Sequence, residues 1–448
     1  MAVDETWRDA GAARPRGLLG EWLLAACVAL AGLSDLWRAW HLGYLPQPFF
    51  YESSDTWMDW FNTAWWAHDR GIYDSWASIY PPLSFVILKV LGLPQCYRGP
   101  LPGPELRLCD WVGVGAIHAL YLLDAVLVAW AFVRMDRRTA LPRAFALVAG
   151  MPLLYGLERG NLVLLAFACM VLAFGRVLRS ARLRWLALAV MINLKVYLIS
   201  ALAAQLLRRR WRWFEGGLLV TVLVYLASYL LLGIGTPGEV VANVLAFARG
   251  GNAAGVLDVW YAASYAPLAT LLDGKDFPIS TLIGSQIVET GGRIVAVAVH
   301  GGQAIILAGA AATWLRPGLV PPFRATLFGV ALALITSEAG GYTICLILFF
   351  VMMERWQGLL RPAAIIIAYL LCIPGDIVLS TIAPMVQDSF LAGHTVSVQH
   401  GIGLGMFLRP LLVILAPALL ALHTVGVVWR DLRCGGGVGA STNGGRRR

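Results

Sequence analysis

The 448-residue chain is 59% hydrophobic and only 14% charged, with a mean hydropathy of +0.70. Soluble domains carry roughly 25% charged residues, so the composition excludes an ordinary soluble fold and predicts an all-α polytopic membrane protein. The net charge of +9 does not point to nucleic acid, because the arginines cluster between apolar runs, as at 208–210 (RRR) and 446–448 (RRR). That is the pattern of cytoplasmic loops under the positive-inside rule.

In chain order, Arg8, Arg14 and Arg16 precede an apolar run at 17–37, which predicts a cytoplasmic N-terminus and a first outward span. LAAC at 24–27 resembles a lipobox, but the apolar run continues past Cys27, so a retained span is expected and not a cleaved signal. The segment 38–110 then lies outside, and 111–133 returns to the arginines of RMDRR at 134–138. A full crossing at 80–93 would break this alternation, so that short apolar stretch is expected to lie in the outer interface. Spans at 139–156 and 161–178 follow. The stretch 185–207 has basic flanks on both sides, which predicts a hairpin of two short helices broken near Asn193–Lys195, a break permitted at that depth only where protein or a watery cavity lines it. Further spans are expected at 216–234, 294–315, 323–337, 342–353, 361–380 and 403–428, with outer segments at 235–293 and 381–402. The expectation is thus one integral domain over 1–432, about 11–13 spans, both termini inside and a disordered cytoplasmic tail at 433–448. Arginine greatly exceeds lysine, which suits a GC-rich bacterium and its inner membrane.

The chemistry-bearing residues fall mainly on the outer side. The stretch SDTWMDWFNTAWW at 54–66 carries Asp55 and Asp59 among tryptophans, Trp60 included. If it is helical, the two acids share one face, where one can serve as a base and the other tune it. The alternative is that Ser54 or Asp55 caps a helix starting at Thr56. At the next outer turn, GLERGN (156–161) offers Glu158, Arg159 and Asn161. Arg159 can hold a phosphate through its guanidinium fork, or Glu158 and Arg159 can simply pair. Lys195 sits inside an apolar stretch, where ionisable groups are costly and usually functional; the alternative is a snorkelling lysine. Glu338 and Tyr342 at an outer turn, Arg249 and Asp258, and His394, His400 and Arg409 near the last outer loop are weaker candidates. Of the seven cysteines, Cys96 and Cys109 share an outer loop in a compartment that permits a disulfide; the others are scattered singly. No metal site or cofactor is expected, although two carboxylates could share a divalent ion as easily as a proton.

The stretch MDWFNTAWWAHDRGIYDSWASIYPPLSF (58–85) resembles the acidic first outer loop of GT-C glycosyltransferases, above all the polyprenyl-phosphate-sugar-dependent enzymes of glycosyltransferase family 87, which are mannosyltransferase-like. The shared order is Asp59, then Gly71-Ile72-Tyr73, then Tyr80-Pro81-Pro82 before an apolar helix. RGN at 159–161 and NLKVY at 193–197 stand where the family has a Gly-Gln-x-Asn-like turn and a Leu-Lys-Pro-like break. Val196 replaces the proline, and GGY at 340–342 stands in place of a turn with a His pair.

The resemblance implies a GT-C-like bundle and an inverting transfer of a sugar from a polyprenyl-phosphate donor to a hydroxyl of a glycolipid or cell-surface polysaccharide. It implies Asp59 as the base, with Asp55 second, and Arg159 and Lys195 on the leaving phosphate. Glu158, Asn161, Tyr80, Trp60, Glu338, Tyr342, His394 and His400 would line the substrates. The partners are then the lipid-linked donor, the acceptor and membrane lipids. Competing classes are an O-antigen-type polymerase or ligase, disfavoured because 381–402 contains no arginine, and a transporter or lipid flippase, for which only Lys195 offers a mid-membrane charge.

Overall fold

The computed structural model describes residues 15–69, 71–99, 103–248, 258–274, 278–337 and 339–434. In chain order the helices begin with α1 (Pro15–Leu42), α2 (Met58–His68), α3 (Pro82–Val90), α4 (Leu106–Cys109) and α5 (Trp111–Met135). They continue with α6 (Ala140–Val148), α7 (Met151–Arg159), α8 (Val163–Phe174), α9 (Ala181–Ile192), α10 (Ile199–Leu207) and α11 (Trp211–Leu232). Next come α12 (Pro237–Ala248), α13 (Asp258–Tyr261), α14 (Ala266–Asp273), α15 (Ser280–Ile283), α16 (Ser285–Leu315), α17 (Pro322–Thr336), α18 (Ile344–Val351) and α19 (Leu360–Cys372). Four short strands, β1 (Val378–Thr381), β2 (Met385–Asp388), β3 (Thr395–Val398) and β4 (Gly401–Gly403), precede α20 (Gly405–Arg433).

Six of these stretches are long and apolar enough to cross a membrane: α1, α5, α6 with α7, α11, α16 and α20. The protein is therefore membrane-embedded and mainly helical. Of the further expected spans, α8, α17, α18 and α19 are shorter than the ~20 residues a crossing needs, while α9 and α10 are the two short helices expected over 185–207. All eight residues of α18 (ICLILFFV) are buried, as an all-round apolar helix must be in a packed bundle. Phe349 lies 5.8 Å from Phe132 and 5.9 Å from Phe167, and Phe350 lies 5.9 Å from Phe174.

Two further expectations need correction. The span placed at 361–380 ends at Cys372, and β1 starts at Val378. The segment 381–402 is not plain loop: β1 pairs antiparallel with β4, and β2 with β3. The tail beyond Cys434 lies outside the described residues.

The break in 185–207 falls at Asn193–Lys195, between α9 and α10. Leu188 of α9 and Leu202 of α10 both press on Gly217 of α11. The start of α9 and the end of α10 also come together, since Arg184 and Arg210 lie 6.0 and 5.8 Å from the Trp213 ring. The two half-helices thus double back, and the Asn193 amide satisfies itself on the carbonyls of Ala189 and Thr221.

The two ends of the bundle differ. At one, buried ion pairs tie five elements together. Glu21 of α1 pairs with Arg143 of α6 at 2.6 Å, and Glu354, just past α18, pairs with Arg324 of α17 and Arg361 of α19 at 2.6 and 2.8 Å. Arg143 also donates to the Glu354 carbonyl at 2.7 Å, which joins the two pairs. The other end carries α2, α3, the strands and the acidic loop. Cys96 and Cys109 are disulfide-bonded there, with Cα atoms 5.8 Å apart.

Candidate active site

The helix expected over 54–66 begins only at Met58. Trp57 is its N-cap residue, with φ of 64° and no side-chain cap. Neither Ser54 nor Asp55 is therefore a cap, and the two acids are not one helical face. A bulky residue in the left-handed region costs about 1–3 kcal/mol and persists only where its surroundings over-determine it. Here the Trp57 N–H donates to the Glu158 carbonyl at 2.8 Å, and the Trp57 ring meets His118 at 5.2 Å and Phe390 at 5.1 Å. The kink presents Asp55 and Asp59 to one cation.

That cation is Arg159, the last residue of α7. Its Nη2 lies 2.7 Å from Asp55 Oδ2 and 2.6 Å from Asp59 Oδ1. Its Nη1 donates to the Asp55 carbonyl at 3.2 Å, and Phe50 covers one face at 3.9 Å. Gly160 ends the helix at once, with φ of 63°; a Cβ there would meet the Trp57 backbone at 3.1 Å, so only glycine allows this approach. Asn161 follows. Its Oδ1 accepts from the Val163 N–H at 2.9 Å, which fixes its Nδ2 to donate to Asp59 Oδ2 at 2.7 Å. Both Asp59 oxygens are thus engaged, and the carboxylate is held in one orientation.

A second group lies beside the first. Lys195, in extended backbone at the hairpin break, donates to Tyr80 Oη at 3.2 Å and lies 4.6 Å from the Tyr80 ring. Tyr80 in turn accepts through its carbonyl from the Tyr73 hydroxyl at 3.2 Å, so the Gly-Ile-Tyr and Tyr-Pro-Pro segments are physically linked. Tyr342 joins the groups. Lys195 Nζ is 5.9 Å from its ring, its Cβ packs on Gly156 of α7, and its phenol lies in the field of Asp59, Tyr80 and Arg159.

The structure therefore brings together Asp55, Asp59, Glu158, Arg159, Asn161, Tyr80, Lys195 and Tyr342. Glu158 Oε2 has no hydrogen-bond partner, and Glu158 lines a cavity of about 10 Å³ with Tyr51, Glu52 and Thr56. That is room for about one water. Burial raises the Asp55 carboxyl above the ordinary carboxylate range, against the pull of Arg159. Burial and then the Asp55 charge raise Glu52 as well.

Several expected site residues behave differently. Trp60 is 1% exposed and packs against Gly113 of α5, so its face is unavailable to a substrate. His394 is exposed, with Nδ1 3.0 Å from the Ala392 carbonyl. His400 is buried in a stack 5.5 Å from Trp260 and 6.0 Å from Tyr51, and burial lowers its pKa; it backs an aromatic wall and does not touch the acids. Arg409 is committed to Asp376 at 2.9 Å. The Arg159 guanidinium is committed to two carboxylates, whereas Lys195 has the neutral Tyr80 hydroxyl as its hydrogen-bond partner. Glu338 and Arg249 lie outside the described residues.

Sequence reasoning missed Arg107 and Phe390. Arg107 Nη1 donates to the Ser54 and Thr56 carbonyls, each at 2.7 Å, which holds the strained turn. Phe390, between β2 and β3, stacks 4.0 Å from that guanidinium, while Ser53 bonds to Gln387 and Asp388. The β2–β3 hairpin thus roofs the acidic turn. An arginine just before Cys109 was the one visible signal; nothing in the sequence ties Phe390 to residue 57. Compared with protein families, curated proteins and solved structures, the chain matches none.

Proposed function

We propose that the protein is an integral-membrane, inverting glycosyltransferase with a GT-C-like bundle. In this reading it moves a sugar from a polyprenyl-phosphate donor to the hydroxyl of a glycolipid or polysaccharide acceptor. The site faces outward from a bacterial inner membrane, and both termini are cytoplasmic. The observation that carries this reading is that a fixed carboxylate, Asp59, acts electrostatically on the Tyr342 phenol while a buried lysine, Lys195, lies 5.9 Å from the same ring. Asp59 accepts the hydroxyl proton, the oxygen attacks the anomeric carbon, and the bond from that carbon to the phosphate oxygen breaks. Lys195 and the Tyr80 hydroxyl receive the charge that grows on the departing polyprenyl phosphate. Asp55 interacts electrostatically with Arg107 and Glu52 and shares Arg159 with the base.

The direct test is transfer by purified protein offered a panel of polyprenyl-phosphate sugars, with polyprenyl phosphate as the product measured. Lys195→Ala is expected to cut turnover by about 10²–10³-fold, as for loss of one preorganised charge donor. Lack of turnover with every donor, together with solute uptake in vesicles, would replace this reading by a transporter.

The pH profile provides a separate check. Asp55 has a raised pKa, so it takes up a proton at a higher pH than an ordinary aspartate and then loosens its half of the shared Arg159 contact. Activity is therefore expected to fall on the acid side above the usual carboxylate range. In Asp55→Asn that acid limb moves to lower pH; a limb that stays in place assigns the titration to another group.

A further inference from the structure

At the end of the bundle away from the acids, the chain between α10 and α11 builds a cationic pocket. Tyr229, near the far end of α11, lies 6.4 Å from Tyr73 of the acidic loop. At 1.5 Å per residue, the start of α11 is about 27 Å away from that contact. A cavity of about 530 Å³ opens there, lined by Trp185, Arg209, Arg210, Trp211, Arg212 and Trp213.

Its cations are not those of a simply solvated loop. Arg208, next in sequence to this lining, has Nε and Nη1 enclosed and without a hydrogen-bond partner. None of the ion pairs among the described residues includes Arg208, Arg210 or Arg212. Burial and the neighbouring Arg210 pull Arg208 down to about 10. Arg184 and Arg210 both lie within 6.0 Å of the Trp213 ring. Arg209 has φ of 55°, a conformation non-glycine residues avoid, and its Nη2 is tied to the Trp314 carbonyl at 3.1 Å. The 22-residue α11 starts at the same point with no side-chain cap and no acid in its first turn, so its positive dipole end adds to the field.

We propose that this pocket binds the phosphate of an anionic lipid headgroup at the membrane surface. Planar guanidinium groups fit phosphate oxygens in bidentate fashion, and Arg210 and Arg212, which line the pocket, hold no ion pair among the described residues that such a ligand would have to displace. A lipid is favoured over a free ion because the two helices that supply the pocket's Trp185, Trp211 and Trp213 also carry exposed apolar side chains nearby in sequence: Leu183 and Leu186 of α9, and Leu218 and Leu219 of α11. Acyl chains can lie along these, while Trp211 sits at headgroup depth. The site stands apart from the transfer chemistry and does not depend on it.

The test titrates purified protein in detergent with dihexanoyl phosphatidylglycerol, dihexanoyl phosphatidylcholine or inorganic phosphate, and counts adducts by native mass spectrometry. The expected result is one saturable phosphatidylglycerol site, with phosphatidylcholine at least about tenfold weaker. Affinity should fall about thirtyfold in Arg210→Gln/Arg212→Gln, each arginine near a membrane surface contributing roughly fivefold. Equal binding of the two headgroups, or unchanged binding in the double variant, overturns the proposal. So does displacement by inorganic phosphate at equal concentration, which would make the pocket a free-anion site. If the double variant is not monodisperse, the wild-type headgroup contrast decides, along with Arg212→Gln, whose side chain is exposed and whose expected loss is about fivefold.

Discussion

Asp59→Asn is expected to lower the transfer rate by about 10²–10⁴-fold, the usual contribution of a positioned general base, while the protein remains folded in detergent. Asparagine keeps the shape of the side chain and can still accept from Arg159 Nη2, which now stands 2.6 Å from Oδ1. What it loses is the ability to take a proton, along with one good contact, because the Asn161 amide that donates to Oδ2 at 2.7 Å would face another amide. The loss should therefore appear in kcat far more than in KM. Asp55→Asn serves as the internal comparison. It removes a charge from the shared guanidinium but leaves Asp59 with both donors, so a loss of about tenfold is expected, or roughly 1.4 kcal/mol of barrier. The measurement is single-turnover transfer with both variants at saturating donor. Asp59→Asn retaining more than about a tenth of the rate, with Asp55→Asn the more damaged, would exchange the two roles.

Much of this site was legible in the sequence because it is made of residue types that do not belong in an apolar chain. Asp59, Arg159 and Lys195 stood out because ionisable groups near or within apolar runs need a reason. The break at Asn193–Lys195 followed from basic flanks on both sides of a single short run. What stayed hidden depends on contacts across the fold. Trp57 adopts a left-handed conformation only because Glu158, His118 and Phe390 surround it, and local propensity would have continued the helix through it. Asp55 and Asp59 were paired for the wrong reason, helical spacing, when the actual cause is a single guanidinium brought from residue 159. Arg159 was matched to a phosphate by its chemistry, although two carboxylates reach it first. The buried pairs Glu21–Arg143 and Arg324–Glu354–Arg361 drew no notice, since Glu21, Arg143 and Arg324 fall singly within the expected spans 17–37, 139–156 and 323–337 and nothing local names their partners. Short buried helices such as α18 looked like crossings, since periodicity and hydropathy do not distinguish a half-length core helix from a span.

Arg159→Ala is expected to damage stability as well as activity. The guanidinium is the shared counter-charge for Asp55 and Asp59, and it is 7% exposed while their side chains are 23% and 24% exposed. Removing one partner of a largely buried ionic cluster costs about 3–5 kcal/mol, because the remaining charges stay desolvated and unpaired. Here the remaining charges are two carboxylates that repel each other, with Glu158 close behind them. Much of the penalty should therefore be repulsion and should be recoverable. In Arg159→Ala/Asp55→Asn one of the two facing charges is gone, and the double variant is expected to unfold at a higher temperature in detergent than Arg159→Ala alone. A purely steric role for Arg159, such as filling the space under Phe50, predicts instead that the two losses simply add. Arg159→Lys separates charge from geometry. An ammonium on a flexible stem offers a point charge but not the fork that reaches both carboxylates and the Asp55 carbonyl, so it should regain part of the stability and little of the activity. That split ties the rate to the orientation of Asp59, which the fork and Asn161 hold, and not to positive charge alone.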